Sequence, residues 1–213
     1  MAWWGKAEPK IMKVHLFPDP ILNTKMVKIP PLDDHFQHWV TEMFELMYKS
    51  RGIGLAAPQV GLHYRFFLMD VAEETEEERK TEQKNEAQGE GGENLEEEED
   101  FEEEDLEPLL PKNPKVILDP SVIFAHKETA VLEEGCLSIP KIKIEIERPS
   151  KIDVCYQNLQ GERVEESLTG LAAACFQHEL DHLDGILIWD RISPLHRKVL
   201  KKKFLNQQKN YGT

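Results

Sequence analysis

The chain has 213 residues, with 40 acidic and 26 basic side chains and a formal net charge of −14. Residues 73–107 alone hold 19 of the acids and 3 of the bases, so the other 178 residues balance close to neutral, at +2. This excludes a dedicated nucleic-acid binder, which needs a broad basic field, and leaves a body long enough to bury a core without staples. Three cysteines, Cys136, Cys155 and Cys175, cannot all pair with one another. The odd count points to a reducing compartment, the cytoplasm by default with an organelle left open. No run of about 18 apolar residues is present, so no membrane span is expected. The N-terminus lacks the apolar stretch and small-residue cleavage site of a secretory signal.

In chain order, residues 11–17 alternate partly and read as a short strand. Pro18, Pro20, Pro30 and Pro31 then exclude a long helix before residue 32. Phe36, Trp39, Val40, Met43, Phe44 and Met47 recur at helical spacing and give one apolar stripe. Asp33 or Asp34 can cap that helix, and Gly52 stands where its C-terminal cap belongs. Residues 64–71 read as a strand. The Glu-rich span that follows, taken as about 73–110, has too few large apolar groups to offset the entropy of ordering. It is expected to be a flexible, solvated insertion within a single domain spanning 1–213, and not a linker, because the motifs on its two sides form one site. Strand character resumes over 115–124 and 127–132. Residues 141–147 alternate strictly, with Ile142, Ile144 and Ile146 inward, and 151–157 continue the pattern to a turn at Gly161. A helix is expected from Thr169 to Leu183, with Gly185 just past its end. A last helix begins at Ser193-Pro194 and carries Arg197, Lys198, Lys201, Lys202, Lys203 and Lys209. Antiparallel strands with few helices give an α+β domain.

The chemistry starts at His178-Glu179-Leu180-Asp181-His182. Residues four apart on a helix share a face, with β-carbons roughly 5–6 Å apart, so the two imidazoles can ligate one metal. Glu179 projects about 100° further round the helix, where it can act on water beside the metal. The preceding Leu171-Ala172-Ala173-Ala174-Cys175-Phe176 is apolar, so the histidines leave a buried segment and need partners there. A catalytic site needs a third protein ligand. The candidates are the three cysteines and the other six histidines. Cys155 lies within an alternating strand and reads as core. Cys175 is poorly placed, being three residues before His178 on the same helix. Cys136 sits in a glycine-containing turn, Glu133-Glu134-Gly135-Cys136-Leu137-Ser138, free to face a helix; an inert buried thiol is the alternative. A third segment, Gly52-Ile53-Gly54-Leu55-Ala56-Ala57-Pro58-Gln59-Val60-Gly61, is too small and apolar for an exposed loop and lacks the Gly-Lys-Ser/Thr of a phosphate loop. Its glycines allow close backbone approach. Gln59 is its one polar side chain, suited to meeting an oxyanion or merely to stabilising the turn.

Together these three segments resemble the peptide deformylase family, the metallohydrolases that remove the N-formyl group from new polypeptides. The family's Gly-φ-Gly-φ-Ala-Ala-x-Gln, Glu-Gly-Cys-φ-Ser and Gln-His-Glu-x-Asp-His signatures stand here, in order, as Gly52–Gln59, Glu134–Ser138 and Gln177–His182. Pro18-Asp19-Pro20-Ile21-Leu22 also fits, and the resemblance runs from Ile11 to about residue 205. It implies antiparallel sheets around a central helix carrying the His-Glu-x-x-His motif, with a C-terminal helix. It implies one divalent metal per chain held by Cys136, His178 and His182: Fe2+ in cells, with Zn2+, Ni2+ or Co2+ able to replace it. Glu179 would be the acid/base, and Gln59 with the backbone N–H of Leu137 would hold the oxyanion. Ile53, Glu134, Leu171, Ala174 and Cys175 would bound the pocket for the substrate's methionine. Backbone near Gly54 would pair with the extended peptide, and Gly135 would line the same wall. The partners implied are N-formylmethionyl peptides and nascent chains, with the ribosome surface a partner for the basic C-terminal helix, and no membrane or specific nucleic acid. Two departures stand out: the acidic insertion, and Lys143 where many members carry arginine, which keeps the charge but loses the fork. Two other readings stay open. One is a zinc peptidase of the His-Glu-x-x-His type, whose third ligand would be a downstream His or Glu such as His196. The other is an inactive binding protein on the same fold.

Overall fold

The computed structural model describes residues 12–71 and 113–211; the acidic span at 73–110 lies outside them. Helix α1 (Asp34–Lys49) forms where the apolar stripe predicts. Asp33 caps it, its carboxylate accepting from the N–H of Phe36 at 3.0 Å. The C-terminal cap differs from the expectation. Arg51, at φ 55°, takes the left-handed position. The N–H groups of Arg51 and Gly52 then close back onto the carbonyls of Tyr48 and Met47 in a Schellman arrangement.

Seven strands follow among the described residues: β1 (Gly54–Ala56), β2 (Phe66–Asp70), β3 (Pro114–Ala125), β4 (Thr129–Cys136), β5 (Ile139–Pro149), β6 (Lys151–Gln157) and β7 (Arg163–Thr169). Five build an antiparallel sheet in the order β1-β2-β3-β6-β7, and β4 and β5 form a separate hairpin. The sheet is covered on both faces. Phe66, Leu68, Val116 and Leu118 meet Phe36, Val40, Met43 and Met47 of α1. Their alternate neighbours Phe67, Met69 and Ile117 join helix α2 (Gly170–Leu183) and the inward isoleucines of β5. Two covered faces explain why β2 reads as a continuous apolar run. Helix α3 (Pro194–Tyr211) docks through Phe204, whose ring lies 5.9 Å from that of Trp189.

One expected strand is absent. Residues 12–17 form no strand: His15 N–H donates to Gln59 and Phe17 N–H to Ser138, single bonds to two separate segments in place of a ladder. Conversely, β1 and β7 form where the residues carry no clear strand signal. β1 has three residues, too short for a period, and β7 (RVEESLT) buries only Leu168.

The α2 terminus is fixed by Gly185, at φ +73°. The N–H groups of Gly185 and Ile186 bond the carbonyls of His182 and Asp181 at 3.2 and 2.9 Å. A β-carbon on Gly185 would lie 2.8 Å from the backbone carbon of Asn23. Gly185→Ala is therefore expected to lower stability by at least about 1–2 kcal/mol, the cost of the left-handed conformation alone. Urea denaturation checks this, and an unchanged midpoint would contradict it.

Candidate active site

Helix α2 runs through the interior with nine buried residues, among them His178, Glu179, Asp181 and His182. Ala173 and Ala174 keep it slim enough to pass close to the sheet. Cys136 reaches it from the end of β4. Through Gly135 the hairpin register is regular, with Gly135 opposite Lys143. Cys136 then faces Ile139 where a regular ladder would give Ile142. This irregularity, with Lys141 at φ 62°, turns the end of β4 toward α2. Cys136 Sγ lies 3.2 Å from His182 Nε2. Ligand atoms of Cys136, His178 and His182 all lie within 4.8 Å of one another, and they are the one such group among the described residues. Zinc–sulfur and zinc–nitrogen bonds of about 2.3 and 2.0–2.1 Å place tetrahedral ligand atoms about 3.3–3.6 Å apart. The observed cluster fits that requirement with small adjustment.

The two imidazoles sit in different electrostatic surroundings. Burial pulls the His178 imidazole down, but its bonds with Cys136 and Glu134 outweigh burial and hold it well above its ordinary value. His182 is driven well below its ordinary value by burial and then by the charges of His178 and Arg148, which keeps a lone pair free to ligate. His178 Nδ1 is 2.8 Å from Glu134 Oε2, leaving Nε2 for the cluster.

Glu179 packs against β1. A β-carbon on Gly54 would collide with Glu179 Oε1 and lie only 2.8 Å from its Cδ, so only glycine leaves room for this carboxylate. Its Oε2 is buried without a hydrogen-bond partner among the described residues. Burial pushes the Glu179 carboxyl up to about 7, a value suited to taking and returning a proton near neutrality. Gln59 is 1% exposed. Its Oε1 accepts from Ala56 N–H at 2.7 Å, which orients Nε2 toward Ser138 Oγ (3.3 Å) and Cys136 Sγ (3.7 Å).

A cavity of about 520 Å³ joins these groups. Its walls include Ile53, Gly54, Gln59, Glu134, Gly135, Cys136, Leu137, Leu171, Ala174, Cys175, His178 and Glu179; of the expected site residues only His182 lies behind the wall. Burial, and then the charges of Glu179 and Glu134, keep the Cys175 thiol protonated, so it serves as an apolar wall. A β-carbon on Gly135 would meet nothing within 4 Å, so this glycine faces open space. Cys155 is core on β6, and His196 is exposed on α3, so neither competes for the third-ligand position. Lys143 is exposed on the cavity rim, 2.8 Å from Glu133. Sequence reasoning missed Arg148, which binds Glu134 through two nitrogens at 2.5 and 3.0 Å and Asp181 at 2.9 Å. The signal was present: position 148 continues the inward alternation of Ile142, Ile144 and Ile146.

A cysteine and two imidazoles beside a buried carboxylate, opening on one apolar cavity, are the parts of a metal-dependent hydrolase. The chain belongs to the polypeptide deformylase family, whose model matches residues 11–198, and it is an enzyme of that class. The peptide deformylase of Thermotoga sp. strain RQ2 is 40% identical over 194 residues, 91% of this chain and 94% of that protein. The crystal structure of the Thermotoga maritima enzyme superposes with a TM-score of 0.65 at 38% identity, covering 86% of this chain and 99% of that one. The peptide deformylase of Ehrlichia chaffeensis gives a TM-score of 0.72 at 29% identity, covering 94% and 98%.

The Gly54–Glu179 contact makes a sharp expectation. Gly54→Ala must displace Glu179 and should lower deformylation by about 10²-fold or more, within the range assigned to a general acid/base, while metal content is retained. Formate release and metal analysis of the same sample check it; full turnover would show that Glu179 does not need this position.

Proposed function

We propose that this chain removes the formyl group from the N-terminal methionine of newly made polypeptides, releasing formate, with Cys136, His178 and His182 as metal ligands. The observation that carries the reading is the convergence of those three ligand atoms within 4.8 Å, on a cavity also lined by Glu179 and Gln59. A bound divalent ion would supply Lewis acidity, acidifying water and polarising the formyl carbonyl. One thiolate with two imidazoles suits iron or zinc; we assign Fe2+ in cells, with Zn2+, Ni2+ or Co2+ as replacements.

The remaining roles belong to the chain's own groups. Glu179 takes a proton from the attacking water and later returns it to the leaving amine nitrogen. Gln59 Nε2, oriented by Ala56, and the N–H of Leu137, next to Cys136 on the cavity wall, meet the negative charge that develops on the formyl oxygen. The apolar wall of Ile53, Leu171, Ala174 and Cys175, closed by Glu134 and Gly135, accommodates an unbranched methionine side chain. β1 is an edge strand, so its backbone near Gly54 can pair with an extended peptide. Three free cysteines support a reducing cytoplasmic setting. Among the described residues no helix is long and apolar enough to cross a membrane. Exposed Lys198, Lys202 and Lys203 on α3 offer a surface to the ribosome.

Glu179→Ala should cut turnover about 10²–10⁴-fold with metal still bound. Cys136→Ser should instead lose metal, because a hydroxyl replaces a thiolate poorly. Metal analysis of anaerobically purified protein beside formate release from formyl-Met-Ala-Ser separates the two. The reading fails if Cys136→Ser keeps full metal and activity.

The insertion is assigned no part in the chemistry. Asp70 and Pro114 are paired neighbours on β2 and β3, and Asn113 N–H donates to the Asp70 carboxylate at 2.6 Å. The two ends of the span are therefore already together, and shortening a loop changes closure by only about 0.6 kcal/mol per halving. Deleting residues 75–105 should leave turnover of a short formylated peptide within a few fold, while changing salt-dependent pelleting with ribosomes. A hundredfold loss in a folded, metal-loaded deletion variant would place the span in the site.

A further inference from the structure

Two buried charges lie behind the site with no part in the chemistry above, Arg148 and Asp181, and a third, Arg191, joins them from the surface. His178 Nδ1 is 2.8 Å from Glu134 Oε2. Arg148 holds both oxygens of Glu134 and passes its remaining Nη1 to Asp181 Oδ2 at 2.9 Å. Arg191, on the short 3-10 turn Ile188–Arg191, holds Asp181 in turn: Nε donates to Oδ2 at 2.9 Å and Nη2 to Oδ1. Asp181 belongs to α2, as His178 does. The chain of bonds therefore leaves the helix at His178, passes through β4 and β5, and re-enters the helix one turn later.

We propose that Arg191 and Asp181 are positioning residues for the metal centre, acting through Arg148 and Glu134 on the ring of His178. This rests on the reading of Cys136, His178 and His182 as ligands. The argument is one of saturation. A carboxylate that orients a ligand histidine must hold one direction, and Glu134 does so because Arg148 grips both its oxygens in a fork. Arg148 can grip Glu134 in that pose only while its third contact, Asp181, is itself fixed. Arg191 fixes Asp181 with a second fork. Two carboxylates and two guanidiniums sum to zero charge, so the set needs no counter-ion. Removing Arg191 leaves two carboxylates competing for Arg148 alone, which draws the guanidinium toward Asp181 and loosens Glu134 from His178. Arg191 is also the link that can be changed without gutting the core, its side chain being 43% exposed against 6% for Arg148.

The test compares zinc release from the loaded full-length protein into excess chelator, together with the denaturation midpoint of each metal-stripped protein. The variants are Arg191→Met, Arg191→Lys and Arg197→Met. The last is a matched control: Arg197 pairs with Asp190 at 2.9 Å on the same 3-10 turn and is similarly exposed, but does not touch Asp181. Removing partners behind a ligand typically costs 10–100-fold in metal affinity. One link further out, Arg191→Met should release zinc about 3–10-fold faster than wild type. Arg191→Lys, which keeps the charge without the fork, should fall between, and Arg197→Met should release zinc at the wild-type rate. Release unchanged in Arg191→Met would overturn the proposal, as would equal acceleration in Arg197→Met, which would reduce the effect to general loosening of the turn. A wild-type chain that retains no zinc would overturn the ligand reading and the relay with it.

Discussion

Helix α2 carries His178, Glu179, Asp181 and His182 into an apolar interior, where ionisable side chains are costly unless partnered. The surrounding structure partners His178 and Asp181, while Glu179 Oε2 and His182 Nδ1 have no hydrogen-bond partner among the described residues. Glu134 takes His178, Arg148 and Arg191 take Asp181, Cys136 approaches His182, and Gly54 leaves a space shaped to the Glu179 carboxylate. The hairpin β4–β5 exists for the site as much as for the core, since its inward face supplies both the isoleucines that cover α2 and the residues that satisfy it. Groups held by such bonds are positioned in advance of a substrate, which is what differential stabilisation of a transition state requires.

Much of this was legible in the residues. The 3.6-residue stripe of α1, the strict alternation of β5 and the cap at Gly185 fixed those elements because each has a period or a backbone demand of its own. The motif at 178–182 placed two imidazoles on one helical face. Which cysteine completes the set was not decidable from spacing, because β4 and α2 are far apart in the chain and only the hairpin irregularity at Gly135–Cys136 brings them together. The resemblance to deformylases supplied that choice, and the structure brings Cys136 within 4.8 Å of both imidazoles.

What escaped the sequence escaped for physical reasons. β1 is too short to show a period, and β7 (RVEESLT) has no apolar alternation and a single buried leucine. Residues 12–17 look like a strand but spend their backbone groups on two separate segments, the loop at Gln59 and the turn at Ser138. Arg148 was hidden by convention more than by chemistry. A charged residue at an inward position is easily taken as the end of a strand, whereas here the strand continues and the charge is the buried partner of two carboxylates. An alternating pattern that closes on arginine is better read as a strand with an internal ion pair.

The ligand set is the claim on which every role in the cavity depends, and X-ray absorption of the zinc-loaded protein tests it directly. The account predicts one sulfur at about 2.3 Å and two imidazole nitrogens at about 2.0–2.1 Å, with the sulfur lost in Cys136→Ser. A shell of nitrogen and oxygen without sulfur, or a sulfur that persists when Cys136 is replaced, would contradict it.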